Sequence, residues 1–132
     1  MPVMVTVRDE TTAGAPVNEL QLELPSERLT VRELIRSRVY QEVKDHNVRA
    51  AQTTFRGLVQ PTDAERELNG YRLRQPRQID WKKQFDVALE AYERNGFVIL
   101  VDDCQTGALD EEVELSAGTA VSFLKLVPLV GG

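Results

Sequence analysis

Two stretches near the start of the chain alternate between apolar and polar side chains. Valine occupies every second position of VMVTVR (residues 3–8), and leucine does the same in ELQLEL (residues 19–24). Successive side chains of a strand point to opposite faces, so each stretch predicts a β-strand with one apolar face. A loop containing Gly and Pro, residues 11–16, separates the two stretches and predicts an antiparallel hairpin.

The next stretch has the spacing of an amphipathic helix. Thr30 and Glu33 are three residues apart, the spacing at which each side chain reaches the other residue's backbone N–H at a helix start. Apolar residues then recur three or four positions apart, which predicts a helix over residues 31–45. These residues are Val31, Leu34, Ile35 and Val39.

Residues 46–96 lose this regularity until a second helix begins. Proline and Asn-Gly interrupt the stretch, and we expect a short helix within residues 47–57. A clearer helix is predicted over residues 81–94. Asp80 is the expected N-cap, and Asn95-Gly96 ends the helix because Gly tolerates the left-handed conformation found there.

Three further strands are predicted after Gly96. FVILV (residues 97–101) is continuously apolar, as in a strand covered on both faces, and EEVEL (residues 111–115) resembles an edge strand. In TAVSFLKLV (residues 119–127), Val121 and Phe123 share one side while Leu124 and Leu126 point elsewhere.

The element order is β-β-α, an insertion, then β-β-β, which predicts an α+β fold of the β-grasp type. We expect a mixed sheet whose first and last strands are parallel neighbours, with the first helix packed across it. The β-grasp domain would span residues 1–127, with a helical insertion at 46–96. Residues 128–132 would form a flexible diglycine tail.

Composition narrows the class of protein. The chain has 132 residues, of which 42% are hydrophobic and 28% charged, as expected of one folded domain. Its net charge of −5 argues against nucleic acid as a partner, and no apolar run has the length of a membrane span or a secretory signal. We therefore expect a cytoplasmic protein that does not bind a membrane.

The titratable residues predict no metal site and no catalytic nucleophile. Cys104 is the single cysteine, and its neighbours Asp102 and Asp103 disfavour the thiolate form. The carboxylates of residues 102–112 do not have the spacing of a calcium loop. We expect a solvated acidic turn here.

The C-terminal third resembles a known superfamily. VILVDD (98–103), DEEVEL (110–115) and GTAVSF (118–123), followed by Pro128 and Gly131-Gly132, resemble the ubiquitin-like superfamily. The closest resemblance is to its prokaryotic sulfur-carrier branch, the thiamine sulfur carrier and the small subunit of molybdopterin synthase. Divergent bacterial ubiquitin-like proteins, encoded beside conjugation enzymes, are also similar. The resemblance covers residues 3–45 by pattern and 97–132 by motif, but not 46–96.

The resemblance implies that the carboxylate of Gly132 is the reacting group. An ionised carboxylate, with an ordinary pKa of about 3.5, resists nucleophiles, so a partner must first convert it to an acyl-adenylate with ATP and Mg²⁺. Gly131 and Gly132 lack a Cβ and suit a narrow channel, and Pro128 stiffens the chain before them. The protein itself would bind no cofactor and would not be an enzyme.

The resemblance also implies a set of partners. These are an activating enzyme, a conjugating enzyme, a deconjugating protease and target proteins. Their docking surface would be apolar and drawn from Leu124, Leu126, Pro128, Leu129 and Val130. Alternatively, the helix at 81–94 covers Leu124 and Leu126.

Three functions remain open at this point. The protein is expected to be a modifier that is conjugated to targets through Gly132. It could instead be a sulfur carrier that forms a thiocarboxylate at Gly132. The third alternative is a non-covalent interaction module whose terminal glycines are incidental.

Overall fold

The chain forms a mixed α/β structure with a five-stranded mixed sheet, two smaller sheets and two helices among the residues described. The computed structural model describes residues 2–11, 18–48, 54–55, 57–61, 64–67, 70–73 and 78–126. The helices are α1 (Val31–Val48) and α2 (Trp81–Glu93). The strands are β1 (Val3–Thr11), β2 (Asn18–Leu24), β3 (Arg28–Thr30), β4 (Thr54–Phe55), β5 (Ala64–Glu67), β6 (Gly70–Leu73), β7 (Phe97–Val101), β8 (Cys104–Gln105), β9 (Glu112–Glu114) and β10 (Ala120–Lys125).

The main sheet has the strand order β2-β1-β10-β7-β8. β1 pairs antiparallel with β2, which confirms the predicted hairpin, and pairs parallel with β10, with Val7 opposite Val121. The first and last strands are thus parallel neighbours inside the sheet, as expected. β10 also pairs antiparallel with β7, so it has a neighbour on each side.

Helix α1 starts at the capping pair predicted from the sequence. The Thr30 N–H donates to Glu33 Oε1 at 3.3 Å, and the Glu33 N–H donates to Thr30 Oγ1 at 3.2 Å. The N–H groups of the two residues between them have no partner within the helix, and carbonyl oxygens of the 109–111 loop accept their hydrogen bonds. Val31 donates to Glu111 O at 2.9 Å and Arg32 to Leu109 O at 3.0 Å. The helix extends to Val48, beyond the predicted end at residue 45.

One apolar cluster lies between the main sheet and the helices. It joins the inward residues of the strands to one face of α1, and burying each such side chain contributes about 1.5–3 kcal/mol. Its fully buried members include Val5, Val7, Leu22, Leu34, Ile35, Val39, Ile99 and Phe123.

The insertion is only partly helical. β4, β6 and β5 form a three-stranded antiparallel sheet that the sequence did not predict. The expected short helix is wrong for the described part of residues 47–57: residues 47–48 end α1, and Thr54–Phe55 is a strand. The predicted second helix is confirmed as α2, and the Asp80 side chain accepts from the Lys82 N–H at 3.0 Å as its N-cap.

Helix α2 ends where the sequence predicted. The left-handed residue is Asn95, with a φ of 61°, and not Gly96 as expected; the Gly96 N–H donates to Ala91 O at 2.7 Å. A Cβ at Gly96 would lie 3.2 Å from that oxygen, a tighter contact than nine in ten that Cβ atoms make. Glycine therefore permits the close approach that returns the chain to β7.

Helix α2 packs on α1 and on the helix-facing side of the main sheet. The Tyr40 and Trp81 rings meet edge to face with centroids 5.4 Å apart, and the Tyr92 and Phe97 ring centroids are 5.5 Å apart. Asn47 fixes the start of α2, because its side-chain amide donates to Ile79 O at 3.0 Å and accepts from the Ile79 N–H at 2.8 Å.

Candidate partner-binding face

The last strand divides its side chains between the two faces of the main sheet. Val121 and Phe123 are buried on the face that carries both helices, since the Arg38 guanidinium lies 4.5 Å from the Phe123 ring centroid. Leu124 has the opposite parity and is only partly buried, outside the apolar core. Because α2 contacts the Phe97 side of the sheet, the alternative that it covers Leu124 is wrong.

Leu124 belongs to an apolar row on the outer face of the sheet. Val98 lies opposite Leu124 in the β7–β10 ladder, and Leu100 lies opposite Ser122. The Leu126 N–H donates to Gly96 O at 3.1 Å and extends this ladder by one residue. We call Val98, Leu100, Leu124 and Leu126, all partly buried, the outer strip.

The sequence placed two members of the outer strip incorrectly. FVILV was expected to be covered on both faces, yet Val98 and Leu100 lie on the outer face, away from both helices. A continuous apolar strand does not by itself distinguish a covered face from a binding face. The sequence signal for an uncovered outer face was in the neighbouring strand β10, where the polar Ser122 lies between the buried Val121 and Phe123.

Charged side chains border the outer strip on the side of β1. Glu10 lies opposite Leu124, and Arg8 lies opposite Ser122, with Glu19 of β2 opposite Arg8 in turn. An apolar centre with a polar, charged border is the general composition of a protein–protein interface.

The structure describes only two of the predicted site residues, because its last described residue is Leu126. Leu124 and Leu126 lie in the outer strip. Pro128, Leu129, Val130, Gly131 and Gly132 lie outside the described residues, so their predicted roles stay predictions, as does the boundary between domain and tail. The chain leaves the sheet at the end of β10, directly beside the outer strip.

A buried ionic cluster on the inner face was not predicted from the sequence. Arg38 of α1, 1% exposed, forms a bidentate pair with Asp9 of β1, with Arg38 Nη2 2.6 Å from Asp9 Oδ2. Arg38 Nε donates to Glu42 Oε2 at 3.2 Å. The signal for Asp9 was its place on the inward face of β1, two residues after Val7.

The cluster holds its charges by mutual pairing. Burial acts to lower the pKa of Arg38, but the carboxylates of Glu42 and Asp9 outweigh it and hold that pKa above its ordinary value. Burial raises the pKa of Glu42 above its ordinary value, although Arg38 and the Leu58 N–H favour the ionised form. Removing Arg38 would leave two buried carboxyl groups without a positive partner.

Two features are absent from the described residues. They contain no group of three or more His, Cys, Asp or Glu side chains placed to hold a metal ion. No helix in the described ranges is long and apolar enough to cross a membrane.

Comparison with known proteins gives no relative: no family model, curated protein or solved structure matches the chain. Its function is therefore inferred from its residues and their geometry.

Proposed function

We propose that the protein is a ubiquitin-like modifier with a β-grasp fold, whose Gly132 carboxylate is activated by a partner enzyme and conjugated to targets in the cytoplasm. The parallel pairing of β1 with β10 inside the main sheet, with α1 across one face, supports the fold assignment. The insertion, with its own small sheet and α2, would be an elaboration of that fold.

One observation carries the proposal: the outer strip adjoins the point where the chain leaves the sheet. Leu124 and Leu126 sit at the end of β10, opposite and next to Val98 and Gly96. A partner that binds the outer strip therefore receives the following residues from a fixed position. Such orientation lowers the entropic cost of bringing a reacting group into an enzyme's active site.

The chemistry needs Gly132 to carry a free carboxylate in the active protein. A carboxylate oxygen attacks the α-phosphorus of ATP and pyrophosphate leaves, giving the acyl-adenylate. A cysteine thiolate of the activating enzyme then attacks the carbonyl carbon and releases AMP, forming a thioester. A target amine attacks the thioester, the thiolate leaves, and the amine loses a proton as the amide bond forms.

A proteomic experiment tests conjugation by detecting its product on target lysines. The full chain, tagged at its N-terminus, is expressed in cells of its source, and its high-mass species are purified and digested with trypsin. Cleavage after Lys125 leaves LVPLVGG on each modified target lysine. The matched control ends at Val130, and we expect remnants only from the chain that ends in Gly131-Gly132.

Other outcomes favour the other functions. An intact mass in which one carboxyl oxygen is replaced by sulfur, without remnants on lysines, identifies a sulfur carrier. If each chain keeps its own unmodified mass, in cells and after incubation with ATP and cell extract, the protein is a non-covalent module.

A further inference from the structure

The end of α2 places the sequence Asn-Gly in a hydrogen-bonded turn. Asn95 is exposed and left-handed, with a φ of 61°. Its N–H donates to Tyr92 O at 3.1 Å, and the Gly96 N–H donates to Ala91 O at 2.7 Å. These two bonds form a Schellman motif, in which glycine is the usual left-handed residue. Asparagine in this position puts a side-chain amide directly before the nitrogen of a glycine.

An Asn-Gly pair contains the groups for a backbone rearrangement. The Gly96 nitrogen loses its proton to hydroxide and attacks Asn95 Cγ, and glycine obstructs this attack least because it has no Cβ. The N–Cγ bond forms, the Cγ–Nδ2 bond breaks, and Nδ2 takes a proton from water and leaves as ammonia. Water then opens the succinimide ring. Breaking the new N–Cγ bond gives aspartate, whereas breaking the original peptide C–N bond gives isoaspartate, whose main chain runs through Cβ and Cγ.

The folded turn opposes this reaction in two ways. A left-handed residue has a ψ of about +47°, and this rotation about the Cα–C bond places the Gly96 nitrogen nearly opposite Asn95 Cβ. The five-membered ring requires that nitrogen and Cβ on the same side of the bond. The hydrogen bond to Ala91 O also opposes loss of the Gly96 proton. The site is therefore closed while the turn is intact.

Gly96 connects this turn to the end of the last strand. Gly96 O accepts from the Leu126 N–H at 3.1 Å, and Leu126 belongs to the outer strip. Isoaspartate adds one carbon atom to the main chain directly before Gly96, which displaces Gly96 from its partners Ala91 and Leu126. The new carboxylate also lies at the negative end of the α2 dipole, where it is unfavourable. The modified turn therefore cannot close again, and Leu126 loses its partner.

We propose that Asn95–Gly96 is a latent site of isoaspartate formation, closed in the folded turn at the end of α2 and reactive when that turn opens. The modified fraction rises with the time that the turn spends open, because the reaction is irreversible. One end of the outer strip then loses a main-chain attachment. The reaction needs only water and does not depend on the proposed conjugation.

Peptide mapping of the purified full chain measures the reaction directly. The chain is incubated at mildly alkaline pH, either folded in buffer or unfolded in concentrated urea, and then digested with a protease that cleaves after glutamate. We expect Asn95 to convert at least about tenfold more slowly in the folded chain, because a closed group reacts only through local opening. Equal rates in the two states, or no conversion in urea, overturn the proposal.

Leu126→Pro tests whether the last strand helps to keep the turn closed. Proline has no N–H, so this variant loses the bond to Gly96 O while the Asn-Gly sequence stays unchanged. We expect faster conversion of Asn95 than in the native chain, with circular dichroism as the check on folding. An unchanged rate in the folded variant contradicts the coupling between Leu126 and Asn95.

Hydrogen exchange measures the consequence for the outer strip without a substitution. Chains that carry isoaspartate at position 95 are separated from unmodified chains by ion exchange. We expect their Leu126 amide to exchange at least about tenfold faster, while the Ile99 amide in the core stays protected. The same incubation of Asn95→Gly, which keeps a residue suited to positive φ but has no side-chain amide, should leave the Leu126 rate unchanged. Unaltered Leu126 exchange in the modified chain overturns the proposed release. These assays contain no ATP or enzyme, so their failure leaves conjugation untouched.

Discussion

Phe123 and Leu124 are consecutive residues of β10 that serve opposite faces of the sheet. Phe123 is fully buried beneath Arg38, whereas Leu124 lies partly exposed opposite Val98. The proposed partner-binding face and the core therefore meet within one strand, and neighbouring substitutions should have separable effects.

We expect Phe123→Ala to lower the free energy of unfolding by about 3–5 kcal/mol, because it leaves a cavity in the core. Leu124→Ser should lower the free energy of unfolding by only about 1 kcal/mol or less, because Leu124 lies outside the core. Urea denaturation of both variants measures the difference. A loss at Leu124 as large as that at Phe123 would show that the outer strip belongs to the core.

The pairing of Arg38 with Asp9 makes a second prediction. Arg38→Met should lower the free energy of unfolding by about 3–5 kcal/mol, because the buried carboxyl groups of Asp9 and Glu42 lose their positive partner. Asp9→Leu/Arg38→Met/Glu42→Leu removes every charge of the cluster and should recover most of that loss. Denaturant unfolding compares the two, and equal instability would mean that packing, not charge, dominates.

Glu42 should make stability depend on pH in a defined direction. Its pKa in the folded chain is raised above 4.5, so folding favours its protonated form. Its stabilising contribution is therefore complete below about pH 4.5 and is lost as pH rises through the folded-state pKa. Glu42→Gln cannot ionise and should lack this loss.

Thermal or urea unfolding from pH 4 to 8 tests this expectation. The stability of the native chain minus that of Glu42→Gln should fall as pH rises. Loss of one hydrogen bond in the variant adds a constant offset and leaves the slope unaffected. A difference that rises with pH would reverse the assigned direction.

Gln41 closes part of the free edge of β2. Its side chain donates to Gln21 O at 2.5 Å and accepts from the Glu23 N–H at 3.3 Å, like one residue of an added strand. Gln41→Ala should lower the free energy of unfolding by about 1 kcal/mol. It should also promote self-association through the uncovered edge of β2. Light scattering over a concentration series detects this, with the exposed Lys44→Ala as control; equal behaviour of the two would refute it.

Lysine reactivity tests the docking of the insertion. Lys125 Nζ donates to Gly57 O and lies 5.9 Å from the Tyr71 ring centroid, whereas Lys44, Lys82 and Lys83 are exposed. Limited acetylation followed by mass spectrometry should label Lys125 several-fold more slowly than the others. Equal labelling would mean that the Gly57–Val59 segment does not hold Lys125.

Local signals account for the parts of the fold that the sequence predicted. The β1–β2 hairpin and α1 were predictable because each has a regular apolar period and clear start or turn residues, such as Thr30 with Glu33. The small sheet of the insertion was not, because its strands have only two to four residues each, too few for a period to be recognised.

The candidate site was predictable only in part, for a similar reason. The alternation of side chains along β10 predicted that Leu124 and Phe123 point to opposite faces of the sheet. The positions of Val98 and Leu100 beside Leu124 depend on strand pairing, which the sequence does not show. Arg38 resembles a solvated helix residue in the sequence. Its burial depends on Asp9, which lies 29 residues earlier.

The pairing of β1 with β10 also constrains how the chain is made. Val7 finds its partner Val121 only after every residue between them has been synthesised. The hairpin and α1 can form while the ribosome is still working, but the centre of the sheet must stay open until the last strand emerges. Contacts between such distant positions slow folding, so a nascent chain would expose apolar surface throughout translation. Chaperone capture of ribosome-bound chains should therefore persist until β10 leaves the exit tunnel.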